Sequence, residues 1–120
     1  MHLTPTKEAW AELQAEDRPG PVQMLNLIRF RAGGAETYAD YGRATAPIFA
    51  RVGGRIVWTG RAEQVVIGPA EDRWDLAFVA EYPGLAAFRE MLADPAYRKA
   101  SALREAALAD SRLIRLMPMG

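Results

Sequence analysis

Residues 22–59, VQMLNLIRFRAGGAETYADYGRATAPIFARVGGRIVWT, change their hydrophobic period twice. Apolar side chains at alternate positions of residues 22–31 predict a strand, because successive residues of a strand point to opposite faces. Between residues 35 and 52 the apolar spacing becomes three to four residues, which is typical of one helix face. Gly53-Gly54 ends that helix, and residues 55–59 return to a strand pattern. The stretch therefore predicts a β-α-β unit.

The rest of the chain predicts a second unit of similar kind. Three further extended segments lie at residues 63–67, 74–82 and 112–117. Two helix starts lie before the last of them, at Pro83-Gly84 and at Asp94-Pro95, because proline suits the first turn of a helix. The first segment continues the second strand past a turn or bulge, so the predicted order is β-α-β-β-α-β. This order is typical of an α+β, ferredoxin-like fold, an antiparallel sheet with its helices on one face.

An extra helix is predicted before this unit. Thr4 is a suitable capping residue and Pro5 a suitable first helical residue. The run Arg18-Pro19-Gly20-Pro21 ends the helix. We therefore divide the chain into an N-terminal accessory helix in residues 1–21 and a ferredoxin-like domain in residues 22–120.

Composition excludes several classes of partner. The chain has 120 residues, and 15 Lys and Arg residues balance 15 Asp and Glu residues. Nucleic-acid binding needs an excess of positive charge, so the sequence argues against nucleic acid. No apolar run approaches the roughly 18 residues of a membrane span, and no secretory signal pattern is present. We expect a cytoplasmic protein without a membrane partner, since cysteine is absent as well.

The sheet face turned away from the helices also carries apolar residues. The candidates for this face are Leu25, Leu27, Val57, Ala77, Val79 and Leu113. Apolar area left in water is unfavourable by about 25 cal/mol per Å². A second copy of the same sheet is the simplest cover, so we expect a two-fold homodimer through this face.

Five stretches spread over the chain carry a family resemblance. They are MLNLIRF around Asn26, YADY (38–41) followed by Pro47, VGGRIVWTG (52–60), VAEYPGLAAF (79–88) and DPAYRKASALREAALADSRLIRL (94–116). In this order they resemble the family of the domain of unknown function 1330, in the dimeric α/β-barrel superfamily. Superfamily relatives include cofactor-free monooxygenases, isomerases and haem-handling enzymes. The resemblance therefore implies a dimeric ferredoxin-like fold but does not choose a reaction.

Asn26, Tyr41 and Tyr38 are the first candidates for a site between sheet and helices. Asn26 interrupts an apolar strand, and a buried amide needs a partner, either a substrate oxygen or the adjacent helix. Tyr41 lies one turn after Tyr38 on the inward helix face. Its hydroxyl would donate to a bound carbonyl or phenol or take a proton from it, or it belongs to a core tyrosine. We take Tyr41 and Asn26 as candidate catalytic residues and Tyr38 as a substrate-binding residue.

Trp58, Arg43 and Arg55 complete the predicted site. In the predicted register Trp58 faces the helices beside Ile56, where it either forms a flat apolar slot or packs in the core. Arg43 and Arg55 flank this slot and would attract an anionic group, unless both are solvated surface residues. All three are taken as candidate substrate-binding residues.

Three further residues are given structural roles. Tyr97, early in its helix, is assigned to packing, and Glu81 and Arg104 are interpreted as a structural pair between strand and helix. A single carboxylate without a second one nearby does not predict a hydrolase.

Several kinds of chemistry are not supported. The only histidine is His2 and cysteine is absent, so internal nucleophilic triads and metal or haem ligands are not predicted. We expect no cofactor. The first hypothesis is a small-molecule-binding protein or cofactor-free enzyme, of monooxygenase or isomerase type, with one pocket per subunit. The alternatives are a non-catalytic structural or regulatory dimer and, as a minor one, haem handling.

Overall fold

The computed structural model describes residues 1–119 as an antiparallel sheet with helices packed on one face. The elements in chain order are α1 (Lys7–Ala15), β1 (Val22–Phe30), α2 (Gly34–Arg51), β2 (Arg55–Arg61), β3 (Leu76–Tyr82), α3 (Leu85–Ala93), α4 (Pro95–Ala107) and β4 (Leu108–Leu116). Gly120, the last residue of the predicted second domain, lies outside the described residues.

The sheet has the strand order β2-β3-β1-β4, and every neighbouring pair is antiparallel. With α2 between β1 and β2 and with α3 and α4 between β3 and β4, this is the split topology of a ferredoxin-like fold. The predicted α+β fold class is therefore confirmed. β1 and β3 are the central strands, so their side chains meet neighbours on both sides.

The core lies between the sheet and the helices. Side chains from alternate positions of β1 and β3 pack against α2 and α3 in one buried cluster: Val22, Met24, Ile48, Val52, Ala80, Tyr82, Leu85, Phe88 and Met91. The side of the sheet that carries these residues is called the helix-facing side below. The period of two along the strands and of three to four along the helices directs both sets of side chains to one layer.

A β-bulge in β2 reverses the predicted direction of Trp58. Ile56 pairs with Ala80, but Trp58 pairs with Val79, so Val57 is an extra residue in the strand. An inserted residue exchanges the two faces for every position beyond it. The prediction that Trp58 faces the helices with Ile56 is therefore wrong, because the indole lies on the opposite side, called the outer face below.

β4 also corrects one predicted residue of the outer face. Leu113 pairs with Asn26, on the helix-facing side, whereas Ile114 pairs with Leu25 on the outer face. The strand begins at Leu108, four positions before the predicted start. The segment 112–117 has apolar residues at both odd and even positions, so its sequence did not fix which of them face outward.

Two further boundaries differ from the prediction. Thr6, not Thr4, caps α1, and its hydroxyl accepts the N–H of Ala9 at 3.0 Å. Residues 63–67 are not a strand, and the connection from β2 to β3 spans residues 62–75. Among residues 1–119, no helix combines the length and the apolar character that a membrane crossing requires.

Two glycines of α2 allow a test of the packing of this helix. A Cβ at Gly34 would overlap the backbone carbonyl oxygen of Ala107, whereas a Cβ at Gly42 would meet nothing within 4 Å. We expect Gly34→Ala to lower the free energy of unfolding by about 2–3 kcal/mol through overpacking. We expect Gly42→Ala to raise it by about 0.5–1 kcal/mol, because alanine favours a helix. Urea unfolding of both variants measures this, and equal effects would contradict the close approach of α2 to the end of α4.

Candidate functional site

A cleft of about 1230 Å³ lies between the helix-facing side of the sheet and the helices. It is bounded by β1, β3 and β4 below, by α2, α3 and α4 above, and by the N-terminal segment, residues 2–18, at one side. Small-molecule sites commonly occupy roughly 300–1,000 Å³. The cleft therefore has room for a ligand of ordinary metabolite size.

Three tyrosines form an aromatic cluster in the cleft. Tyr38 and Tyr41 lie one turn apart on α2, with ring centroids 5.3 Å apart. The hydroxyl groups of Tyr41 and Tyr97, which belongs to α4, are 2.7 Å apart and share a hydrogen bond. Because one hydroxyl donates to the other, the pair keeps one further O–H for a bound group.

Burial determines the protonation of these phenols. It raises the pKa of Tyr38 to about 12, against the opposing charge of Arg104. It also raises the pKa of Tyr41, and the neighbouring Tyr97 adds to that increase. Both groups therefore stay neutral near pH 7 and act as hydrogen-bond donors. This favours the donor role over the base role among the two proposed for Tyr41.

Asn26 lies at the middle of β1 and lines the same cleft. Its Nδ2 donates to the carbonyl oxygen of Met24 in its own strand at 3.2 Å. The bond to an adjacent helix, one of the two interpretations of this amide, is therefore not formed. Asn26 is half-buried, and among residues 1–119 its side-chain oxygen accepts no hydrogen bond, which leaves an acceptor at the floor of the cleft.

Three of the predicted residues lie elsewhere. Trp58 is 55% exposed on the outer face. Arg43 is exposed on α2 and pairs with Asp40 one turn earlier. Arg55 pairs with the carboxylate of Glu81 at 2.7 Å, and the two residues are register partners on the outer face. The sequence-based site thus combined residues from both faces, and the structure brings together only Asn26, Tyr38 and Tyr41.

Two cleft residues, Tyr97 and Arg104, were missed as site residues. Tyr97 was assigned to packing, and Arg104 was expected to pair with Glu81, which bonds to Arg55 and Gln23 instead. Both residues line the cleft, as does Ser101. The signal for this was present, since positions 97, 101 and 104 follow the four-and-three spacing of one helix face.

The first residues of the chain close the cleft at the β4 side. The N–H of His2 donates to Asp110 at 2.8 Å, and its carbonyl oxygen accepts the hydroxyl of Ser111 at 2.6 Å. Arg104 donates to the carbonyl oxygen of Leu3 at 2.6 Å. Although burial opposes the charge of Asp110, the hydrogen bonds that it accepts lower its pKa to about 2. The anchor is therefore a carboxylate throughout the physiological range.

α1 forms one wall of the cleft, and arginine side chains from α3 and β4 hold it in place. Arg89 of α3 donates to Gln14 at 2.8 Å, and Arg115 of β4 donates to the carbonyl oxygen of Glu16 at 2.7 Å. Trp10 and Leu13 pack against the core cluster from this side. Within the described chain, no three His, Asp or Glu side chains are grouped as metal ligands would be.

An α+β sheet of this topology with a cleft under its helices defines a ferredoxin-like domain with a candidate ligand site. Residues 27–117 match the family described as a domain of unknown function, DUF1330. The chain therefore belongs to the DUF1330 family, and the resemblance found in the sequence is confirmed. Comparison with curated proteins gave no match.

Solved structures show the same fold. The RPA0582 protein of unknown function from Rhodopseudomonas palustris is 50% identical, with a TM-score of 0.93 over 99% of this chain and 98% of that chain. SnoaB of Streptomyces nogalater, a cofactor-independent oxygenase, is 21% identical, with a TM-score of 0.59 over 84% of this chain and 95% of that chain. A dimeric ferredoxin-like protein of unknown function from Bacteroides fragilis is 14% identical, with a TM-score of 0.55 over 81% and 95%.

The buried tyrosines predict a loss of stability at high pH. Above pH 10 the unfolded chain releases phenolic protons that folded Tyr38 keeps up to about pH 12, so the unfolded state is favoured. These phenols leave the free energy of unfolding unchanged below pH 9 and lower it by about 1.4 kcal/mol per pH unit for each buried tyrosine above pH 10. Urea unfolding between pH 8 and pH 11 measures the slope.

Tyr41→Phe is the control for this prediction. The variant removes one buried phenol, so its stability should fall less steeply above pH 10 than that of the wild type. The difference between the two slopes isolates the contribution of the Tyr41 phenol from every other change in the same pH range. Folded protein whose tyrosine absorbance at 295 nm titrates entirely near pH 10 would contradict the assignment.

Proposed function

We propose that this protein binds a small, largely apolar molecule in the cleft and acts on it as a cofactor-free enzyme of monooxygenase or isomerase type. The observation that carries the proposal is the hydroxyl pair of Tyr41 and Tyr97, 2.7 Å apart in the wall of an otherwise mostly apolar cleft. A neutral O–H donor in such a place is suited to a substrate carbonyl oxygen.

The chemistry that this arrangement assists is enolisation. When a base such as solvent hydroxide takes a proton from the carbon beside a carbonyl, negative charge gathers on the carbonyl oxygen. A fixed donor that bonds to this oxygen is more effective in a partly buried site than in water. Proton return to another carbon gives an isomerase, and reaction of the carbanion with O₂ as second substrate gives an oxygenase.

The comparisons support the proposal only through the fold. SnoaB is described as a cofactor-independent oxygenase, but at 21% identity the likeness extends to architecture alone. The alternative, a non-catalytic dimer module, would have a filled interior. A cleft of about 1230 Å³ lined by tyrosine hydroxyls favours the ligand-binding function over that alternative.

A homodimer through the outer face is part of the proposed function. The middle of this face is apolar and includes Leu25, Leu27, Val79, Ile114 and the half-exposed Trp58. Polar groups flank it at both ends. At one end Gln23, Glu81 and Arg55 bond in a row across three strands. An apolar centre with a polar rim is the usual composition of a protein interface.

The opposite end of the outer face carries the second polar group. Arg29 and Arg112 both lie over the ring of Trp74, at 4.8 and 5.0 Å from its centroid, in the geometry of cation–π contacts. A second copy of the sheet, turned by a two-fold axis, would place apolar centre against apolar centre. The description of the Bacteroides fragilis relative as dimeric supports the homodimer as such.

Hydrogen exchange of 2-tetralone, an aromatic ketone with enolisable hydrogens, tests the enzymatic proposal. In D₂O the protein should accelerate loss of the hydrogens next to the carbonyl above the buffer rate, followed by proton NMR. Tyr41→Phe should slow the catalysed exchange at least about tenfold, because it removes a donor to the developing oxyanion. Arg43→Gln, outside the cleft, is the matched control. Exchange at the buffer rate in the wild type would contradict the proposed chemistry for this class of ketone.

Leu113 and Ile114 provide a matched pair for the dimer, because they are adjacent and both are 45% exposed. Ile114→Glu buries a charge in the proposed interface and should give a monomer in sedimentation velocity. Leu113→Glu places the same charge in the cleft and should leave the dimer intact. A wild type that sediments as a monomer, or an Ile114→Glu dimer as tight as the wild type, would refute an interface through the outer face.

A further inference from the structure

Arg104 is a cleft residue without a carboxylate partner. It lies on α4, is half-buried, and lines the cleft with Tyr41 and Tyr97. None of the ion pairs within 4.0 Å among residues 1–119 includes it. Burial raises the pKa of Tyr38 and of Tyr41, and the charge of Arg104 lowers both, which agrees with its position near their hydroxyl groups.

The hydrogen bonds of Arg104 leave most of its donors unused. Nη1 donates to the carbonyl oxygen of Leu3 at 2.6 Å, and Nη2 donates to the hydroxyl of Ser111 at 3.2 Å. Both acceptors are neutral. A guanidinium has five N–H donors in a rigid plane, so donors remain for a further acceptor, and no carboxylate of residues 1–119 lies within 4.0 Å of its positive charge.

The nearest acidic group on β4 is engaged elsewhere. Asp110 accepts the N–H of His2 and the guanidinium of Arg112 at 2.9 Å. Glu105, the neighbour of Arg104 on α4, is exposed. An unpaired cation in a partly buried cleft attracts an anion more strongly than a surface arginine does, because solvent screens it less.

We propose that the cleft takes an organic anion, with a carboxylate, sulfonate or enolate oxygen at Arg104 and a flat apolar body against the tyrosines and the core. This inference deepens the proposed function and rests on it, since it names the substrate class of the same cleft. Arg104 binds the charged end, and the Tyr41–Tyr97 pair donates to a neighbouring oxygen. The planar fork of arginine matches the two oxygens of a carboxylate.

A purely structural role for Arg104 is the competing explanation. Its bond to Leu3 helps to hold the first residues of the chain over the cleft. A structural role affects every ligand equally, whereas an anion site affects charged ligands alone. The test therefore compares two probes with the same rings, 8-anilinonaphthalene-1-sulfonate, which is an anion, and N-phenyl-1-naphthylamine, which is neutral.

Fluorescence titration of both probes is carried out on the full chain and three variants. Arg104→Gln should weaken binding of the sulfonate about tenfold or more, as expected for loss of a charge-assisted bond, and should change the neutral probe less than about twofold. Arg104→Lys should restore part of the sulfonate affinity. Arg43→Gln, which removes an exposed charge outside the cleft, should change neither probe.

The outcomes separate this inference from the proposed function. Equal weakening of both probes by Arg104→Gln would assign Arg104 to the structural role, and unchanged sulfonate binding would also overturn the anion site. In both cases binding of the neutral probe to the wild type leaves the proposed ligand site standing. If neither probe binds the wild type, the ligand site and the anion site fail together.

Discussion

The double pairing of β1 is the constraint on which the rest of the structure depends. This strand lies between β3 and β4, so its register with both partners fixes which side chains share a face. Asn26 is opposite Phe78 on one side and Leu113 on the other, and all three belong to the floor of the cleft. A slip by one residue would send the whole set to the outer face. The register of β1 therefore determines both which residues line the cleft and which residues lie in the proposed interface.

Much of this fold was readable from the sequence, because strong periodicity and glycine pairs mark its long elements. The helix of residues 34–51 and the strand of residues 22–30 were predicted to within one residue at each end. The direction of Trp58 was not predictable, because a bulge adds a residue without changing the local strand pattern. The faces of β4 were ambiguous because Leu113 and Ile114 are adjacent and both apolar, so the sequence pattern does not show which of them points to the helices.

The candidate site was only partly predictable because it is built from elements far apart in sequence. Asn26, Tyr38 and Tyr41 were found from local sequence patterns. Asn26 is a polar residue in an apolar strand, and the two tyrosines are one turn apart on the inward face of a helix. Tyr97 and Arg104 become site residues only when α4 packs beside α2, which brings the two phenol oxygens together. Arg104 had an acidic candidate partner, Glu81, in the sequence, and only the sheet register shows that they lie on different faces.

The contact between the first residues and the last strand has a consequence for synthesis of the chain. His2 and Asp110 are 108 positions apart, and His2 and Ser111 are 109 positions apart. A ribosome must therefore release β4 before the wall of the cleft at residues 2 and 3 gains these anchors. Until β4 has joined the sheet, the candidate site therefore lacks both its β4 residues and the anchored wall at residues 2 and 3.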